Sequence, residues 1–227
     1  GRRKPGRRYL NRADFERFEE RSETRHEWVC GIGLYDEDGE ELGEVRPVQG
    51  YDDQGNPGVA TYEHGELITN LILLLGKLLD RSAFSITNQC VEVRVPNGRT
   101  RYPDLIVASN PPAFEPRVDG ERRVMTNPVV LIEVLSRTTT DTDLNDKLIE
   151  YLAIPSVMDY VVIDQTEPRA IHYRRVDAGD QTRWELETRR DGETVELTGC
   201  EAALPLADVY AGVFADPDGT APAPPAG

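Results

Sequence analysis

Two acids in this sequence stand where an acid is costly. Glu133 interrupts the run Val129-Val130-Leu131-Ile132-Glu133-Val134-Leu135, which is otherwise apolar throughout. Such a run reads as a strand covered on both faces. An ionised carboxylate inside it must be paired, hydrogen-bonded or metal-bound, unless it sits at the strand's exposed end. Asp104 opens a second apolar run, Pro103-Asp104-Leu105-Ile106-Val107-Ala108, in which Pro103 marks an edge, a bulge or a strand's first residue. Two carboxylates on neighbouring strands could project to one side and share a divalent ion, and an oxygen-rich site suits Mg²⁺ or Mn²⁺. Lys147 is the third piece. It falls three residues after Leu144 and four before Tyr151, so it flanks the apolar stripe of its helix rather than the solvent face. The chain has only three lysines against 23 arginines, which makes the choice of Lys informative. An ammonium beside two metal-bound carboxylates could orient a water nucleophile or neutralise charge developing on phosphorus. The same residues could instead form a structural strand–helix ion pair, and Lys147 could pair with Asp143, one helical turn before it.

The elements that must position these residues follow from periodicity. The spacing predicts a core helix over residues 62–81, with a stripe of Leu67, Ile68, Leu71, Ile72, Leu74, Leu75, Leu78 and Leu79. His64 lies on the line of Ile68, Leu71 and Leu75, either as a buried hydrogen-bonded histidine or as a member of the site. Strand-like runs follow: FSITNQCVEVRV, RYPDLIVAS and NPVVLIEVLS. Next come a helix over residues 141–154 and the strands DYVVIDQ, AIHYRRV, RWELETRR and TVEL. A short amphipathic helix, LADVYAGVF, closes the fold. Upstream, a helix through FERFEERS begins near Asn11 and Asp14, and HEWVCGIGLY reads as a strand. This order predicts an α/β sandwich with a central mixed sheet flanked by helices. It is expected as one domain over residues 1–214, with an acidic insertion at about 35–60 and a disordered tail over 215–227. Three polar segments read as local structure: Thr138-Thr139-Thr140-Asp141 as loop and helix cap, Asp36 to Glu44 as a solvated hairpin without EF-hand spacing, and Asp164 as a turn cap.

Composition limits the function classes. No apolar run is long enough to span a bilayer. The basic start GRRKPGRRYL lacks a following apolar signal region, so a cytoplasmic location is expected. Cys30, Cys90 and Cys200 are odd in number and lack a CxxC pair, which fits buried reduced thiols better than disulfides or a zinc site. The net charge of −15 argues against a generic nucleic-acid binder. Between Arg94 and Arg137, however, seven arginines face five acids, so a local basic surface is possible.

The segments PDLIVAS, PVVLIEVLSRTTTDTDLNDKLIEYLAI and DYVVID resemble the Uma-two family of restriction-endonuclease-like bacterial proteins, within the PD-(D/E)XK nuclease superfamily. Upstream, HEWVCGIGL looks like a divergent form of that family's first motif, and EHGELITNLILLLGKLL is similar to its His-initiated helix. The resemblance implies a restriction-endonuclease-like fold. It implies Asp104 and Glu133 as metal ligands, with a backbone carbonyl beside Glu133, and Lys147 as catalytic base or charge stabiliser. His64 and Glu27 are further carry-overs. The chain departs from the superfamily pattern at Leu135, where the lysine two residues after the Glu would stand, and at Cys30, where the first motif has Asp. The implied function is a Mg²⁺-dependent endonuclease hydrolysing phosphodiester bonds of DNA, with a homodimer for double-strand cutting. A catalytically inactive binding or assembly module of the same fold, and a hydrolase of smaller phosphate substrates, are the alternatives.

Overall fold

The computed structural model describes residues 8–21, 26–29, 34–47, 61–116, 123–135, 141–178 and 181–214. The elements run β1 (Arg8–Leu10), α1 (Arg12–Arg21), β2 (His26–Val29), β3 (Gly43–Pro47), α2 (Tyr62–Leu78), β4 (Phe84–Asn88), β5 (Glu92–Arg94), β6 (Thr100–Arg101), β7 (Leu105–Ser109), β8 (Phe114–Pro116), β9 (Arg123–Met125), β10 (Pro128–Leu135), α3 (Asp141–Leu152), β11 (Asp159–Asp164), β12 (Arg169–Ala178), β13 (Gln181–Arg190), β14 (Thr194–Leu197), β15 (Ala202–Pro205) and α4 (Leu206–Val209).

A six-stranded mixed sheet in the order β13-β12-β11-β10-β7-β4 organises the molecule. Only β10 and β11 are parallel within it, and α3 is the crossover that a parallel pair requires. The other neighbours pair antiparallel. Strand periodicity divides β10 between two cores. Val130, Ile132 and Val134 enter a cluster with Leu67, Leu71 and Leu75 of α2, together with residues of α4 and β14–β15. Leu131 enters the opposite cluster with Tyr151 of α3 and Tyr160 of β11. The sheet is thus covered by helices on both faces, as a continuous apolar strand demands.

Helix α2 starts where Thr61 caps it, its side chain accepting from the His64 N–H at 3.2 Å. Burying Leu67, Leu71 and Leu75, each at 0% exposure, contributes about 1.5–3 kcal/mol per side chain. The helix stops at Leu78 rather than at residue 81, because Leu79 turns extended and Asp80 closes an Asx turn onto the Ser82 N–H. Leu78 is correspondingly 45% exposed and not part of the stripe.

Two other expectations need correction. The run FSITNQCVEVRV is two strands in different sheets: β4 edges the large sheet, and β5 pairs with β6 and β9. The Asn88 side chain accepts from the Cys90 N–H and its carbonyl from the Val91 N–H, turning the chain between them. Cys90 is therefore exposed, whereas Cys200 is buried and its thiol is pushed up to about 12 by that burial and by the charge of Asp159. The closing helix is a single turn, α4, which ends at Tyr210. The acidic hairpin forms as expected, with Asp36 accepting from the Asp38 and Glu40 N–H groups. The 215–227 tail, the part of the expected insertion beyond residue 47, and the Thr138–Thr140 loop lie outside the described residues. No described helix is long and apolar enough to cross a membrane.

Candidate active site

The backbone ladder between β7 and β10 ends at the pair Leu105–Ile132. Asp104 and Glu133 are the next residues on the two chains, so they sit side by side just beyond the last rung. The free N–H of Val134 is taken by the Asp104 carboxylate, which accepts from it through Oδ2 at 2.8 Å. The two carboxyl groups are close enough to share a hydrogen bond. Alternation along β10 turns Glu133 toward α3, where Lys147 Nζ donates to both of its oxygens at 3.2 Å. The Tyr151 hydroxyl donates to Glu133 Oε1 at 2.8 Å. Asp104, Glu133, Lys147 and Tyr151 are all buried.

The expected side chains of Asp104, Glu133 and Lys147 therefore meet. His64 joins them more loosely: its Nε2 lies 3.7 Å from Asp104 Oδ1, beyond hydrogen-bond distance. Glu27 has its backbone in β2, opposite Arg46, and its side chain lies outside the described residues, as does that of Asp143. Asp164 closes a turn, accepting from the Thr166 N–H at 2.8 Å and pairing with Arg169.

Burial dominates the electrostatics. It pushes the Asp104 carboxyl up from its ordinary value, against the opposing charge of Lys147 and the Val134 N–H. It pushes Glu133 up to about 7; Lys147 and Tyr151 oppose the rise and the Asp104 charge adds to it. The His64 imidazole is held below its ordinary value by burial, against the pull of Glu133. Among the described residues two carboxyl groups face one ammonium, so the site carries an excess negative charge whenever both carboxyls are ionised, and burial favours a proton there in the absence of another cation. The donor set fits a hard divalent cation, which would supply the missing charge through oxygen ligands. Among the described residues no group of three or more His, Cys, Asp or Glu is arranged to hold a metal. A small cation such as Mg²⁺ usually takes only one or two carboxylates, with water and substrate phosphate completing its shell.

Two features of the site were not read from the sequence. In the sequence Tyr151 reads only as part of the apolar stripe of α3, although its place four residues after Lys147 puts its hydroxyl on the same line. The other is the anchor of that helix. Glu150 accepts from Arg101 Nε at 2.6 Å, from Arg99 at 2.8 Å and from Asn97 at 3.0 Å. Burial alone would raise the Glu150 carboxyl, but Arg101, Asn97 and Arg99 hold it below its ordinary value. With Arg94 paired to Glu115, three of the seven arginines between residues 94 and 137 serve ion pairs rather than an open basic surface.

Among solved structures the chain is similar to one from Anabaena variabilis ATCC 29413, described as "a putative nuclease belonging to DUF820". The TM-score is 0.63 at 14% identity, covering 90% of this chain and 99% of that one. The likeness establishes a shared nuclease-type fold. Two uncharacterised proteins of Synechocystis sp. are similar in sequence. One, sll1609, is 28% identical over 189 residues, covering 83% of this chain and 91% of its own length. The other, slr1290, is 24% identical over 157 residues, covering 69% and 78%. The family described as "Uma2: Putative restriction endonuclease" matches residues 54–207, a stretch that holds His64, Asp104, Glu133 and Lys147 but not Glu27. With most of its length matched, and with a nuclease-type sheet beneath the paired carboxylates, the chain belongs to the Uma2 family.

Proposed function

We propose that the chain is a divalent-cation-dependent nuclease that hydrolyses phosphodiester bonds of DNA, with Mg²⁺ or Mn²⁺ held by Asp104 and Glu133. The observation that carries this reading is the buried Asp104–Glu133 pair, whose two carboxyls, when ionised, exceed the single charge that Lys147 brings to them. A cation bound there supplies Lewis-acid polarisation of a phosphate oxygen. The chain's own groups do the remaining work. Lys147, tethered to both Glu133 oxygens, brings positive charge to the oxygens that gain charge as water adds to phosphorus. The bond to the leaving oxygen breaks, and that oxygen takes up a proton. Tyr151 and the Val134 N–H fix the two carboxylates so that neither must reorganise during the reaction. His64, held neutral by burial, stands close enough to accept a proton from a water beside Asp104.

The test is cleavage of plasmid and linear DNA in Mg²⁺ or Mn²⁺ by the wild type and by Glu133→Ala. Wild-type cleavage that is lost in the variant is expected; cleavage that survives the substitution overturns the site. One observation favours a second reading, a nuclease-fold module without catalysis: Lys147 and Tyr151 already give Glu133 three hydrogen bonds. Calorimetric titration with Mn²⁺ separates the two, since the module takes up no ion.

A further inference from the structure

Gln165 follows Asp164 at the end of β11, next to the strand end that carries the carboxylates, because Glu133 is in register with Val162 and Leu135 with Asp164. It is 4% exposed. Its Oε1 accepts from the Thr61 hydroxyl at 3.2 Å, and its Nε2 has no hydrogen-bond partner among the described residues. The amide is oriented with Oε1 toward Thr61, whose oxygen accepts from the His64 N–H and whose hydroxyl donates to Gln165. A buried amide donor without a partner is disfavoured, and such a group in a native fold calls for an explanation. Its location supplies one. Thr61 is the N-cap of the 17-residue helix α2, so the unpaired NH₂ sits at a helix N-terminus, where unsatisfied N–H groups and the helix dipole favour an anion. One turn along the same helix, His64 approaches Asp104. The amide, the helix end and the carboxylates therefore share one end of the sheet.

The nearby acids limit which anion fits. Glu63 lies in the first turn of α2, and the Asp164 carboxylate is already engaged by Arg169 and Thr166. A singly charged diester is better tolerated beside these groups than a phosphate dianion. We infer that the Gln165 amide, together with the N-terminus of α2, binds a non-bridging oxygen of a phosphodiester in the nucleic-acid strand, adjoining the linkage held at Asp104 and Glu133. This site rests on the nuclease reading and adds a strand-positioning contact to it.

The test uses the full chain and a short fluorescein-labelled oligodeoxynucleotide, with Ca²⁺ to permit binding without cleavage. Gln165→Met removes the donor, and Gln165→Glu removes it while keeping an acceptor for Thr61. Both variants are expected to bind the oligonucleotide at least tenfold more weakly by fluorescence anisotropy. KM for cleavage should rise more than kcat falls. Mn²⁺ affinity measured by calorimetry should match wild type in Gln165→Met, and inorganic phosphate should compete poorly with the oligonucleotide. Wild-type oligonucleotide affinity in either folded variant overturns the site while leaving the nuclease reading intact. Strong competition by inorganic phosphate overturns the diester assignment. A wild-type protein that binds neither Mn²⁺ nor oligonucleotide overturns the nuclease reading, and this site with it.

Discussion

Lys147 and a divalent cation would compete for the same carboxylate, because the ammonium donates to both Glu133 oxygens. Replacing it with Met removes a positive charge from beside the carboxylates while preserving most of the buried stem. At a pH of about 8, above the value near 7 to which burial pushes Glu133, Lys147→Met is expected to bind Mn²⁺ more tightly than wild type. Cleavage should meanwhile fall by about 100-fold or more, the usual scale for a lost stabiliser of transition-state charge. Calorimetry and a cleavage assay on one preparation check this. If Mn²⁺ affinity falls together with activity, Lys147 acts by holding the fold instead. Much at this scale was legible beforehand, because an acid in an apolar strand has few ways to be stable. Asp104, Glu133 and Lys147 could therefore be expected to converge before any coordinate was known. Tyr151 and Gln165 were not legible in the same way. A tyrosine offers an apolar body that periodicity counts as core while its hydroxyl does something else, and a glutamine at a strand end reads as a turn residue.

The site depends on how α3 is held, since that helix carries both Lys147 and Tyr151. Arg101 stands three residues before Asp104, and Glu150 three residues after Lys147, so their 2.6 Å ion pair fixes the two halves of the site relative to each other. Arg101 is 1% exposed, and breaking a buried pair by removing one partner costs about 3–5 kcal/mol. Arg101→Met is expected to lower the melting temperature by roughly 6–20 °C for a chain of this size, and to reduce cleavage below what the folded fraction explains. The anchor also has a pH signature. Glu150 is held below its ordinary value of 4.5, so its contribution is fully present above about 4.5 and is lost as pH falls through the folded value. Thermal melts of wild type and Glu150→Gln should accordingly converge on acidification below 4.5. A constant gap across that window would show that the carboxylate's charge is irrelevant to the anchor. Long periodic elements such as α2 and β10 could be read from the sequence. The separation of β4 from β5 could not, because it depends on a three-residue Asn88 turn inside an apolar run.

At the scale of the whole molecule, the charge of −15 works against a polyanionic substrate. Among the described residues, Arg94, Arg99, Arg101, Arg169, Arg174 and Arg189 are paired with carboxylates, and the exposed Arg8, Arg21, Lys77, Arg81, Arg183 and Arg190 lie outside β7, β10 and α3, the elements around the carboxylates and Lys147. Affinity must then come from the divalent ion and from local contacts at the sheet end, not from a basic surface. Each phosphate neutralised by Lys or Arg adds about −0.9 to the slope of log K against log salt concentration. Lys147 and at most one further cation give an expected slope of about −2 or shallower, measured by anisotropy in Ca²⁺ over a monovalent-salt series. Without a divalent ion, binding should weaken sharply, and adding monovalent salt should relieve some of the protein's own repulsion by screening it. A slope steeper than about −5 would require at least five phosphate contacts from Lys or Arg. The described surface does not hold that many unpaired cations beside the carboxylates. Such a slope would move the DNA-binding surface to the stretches outside the described residues, residues 1–7 and 117–122 among them, and the carboxylate end of the sheet would then be a cutting site without being the main docking site.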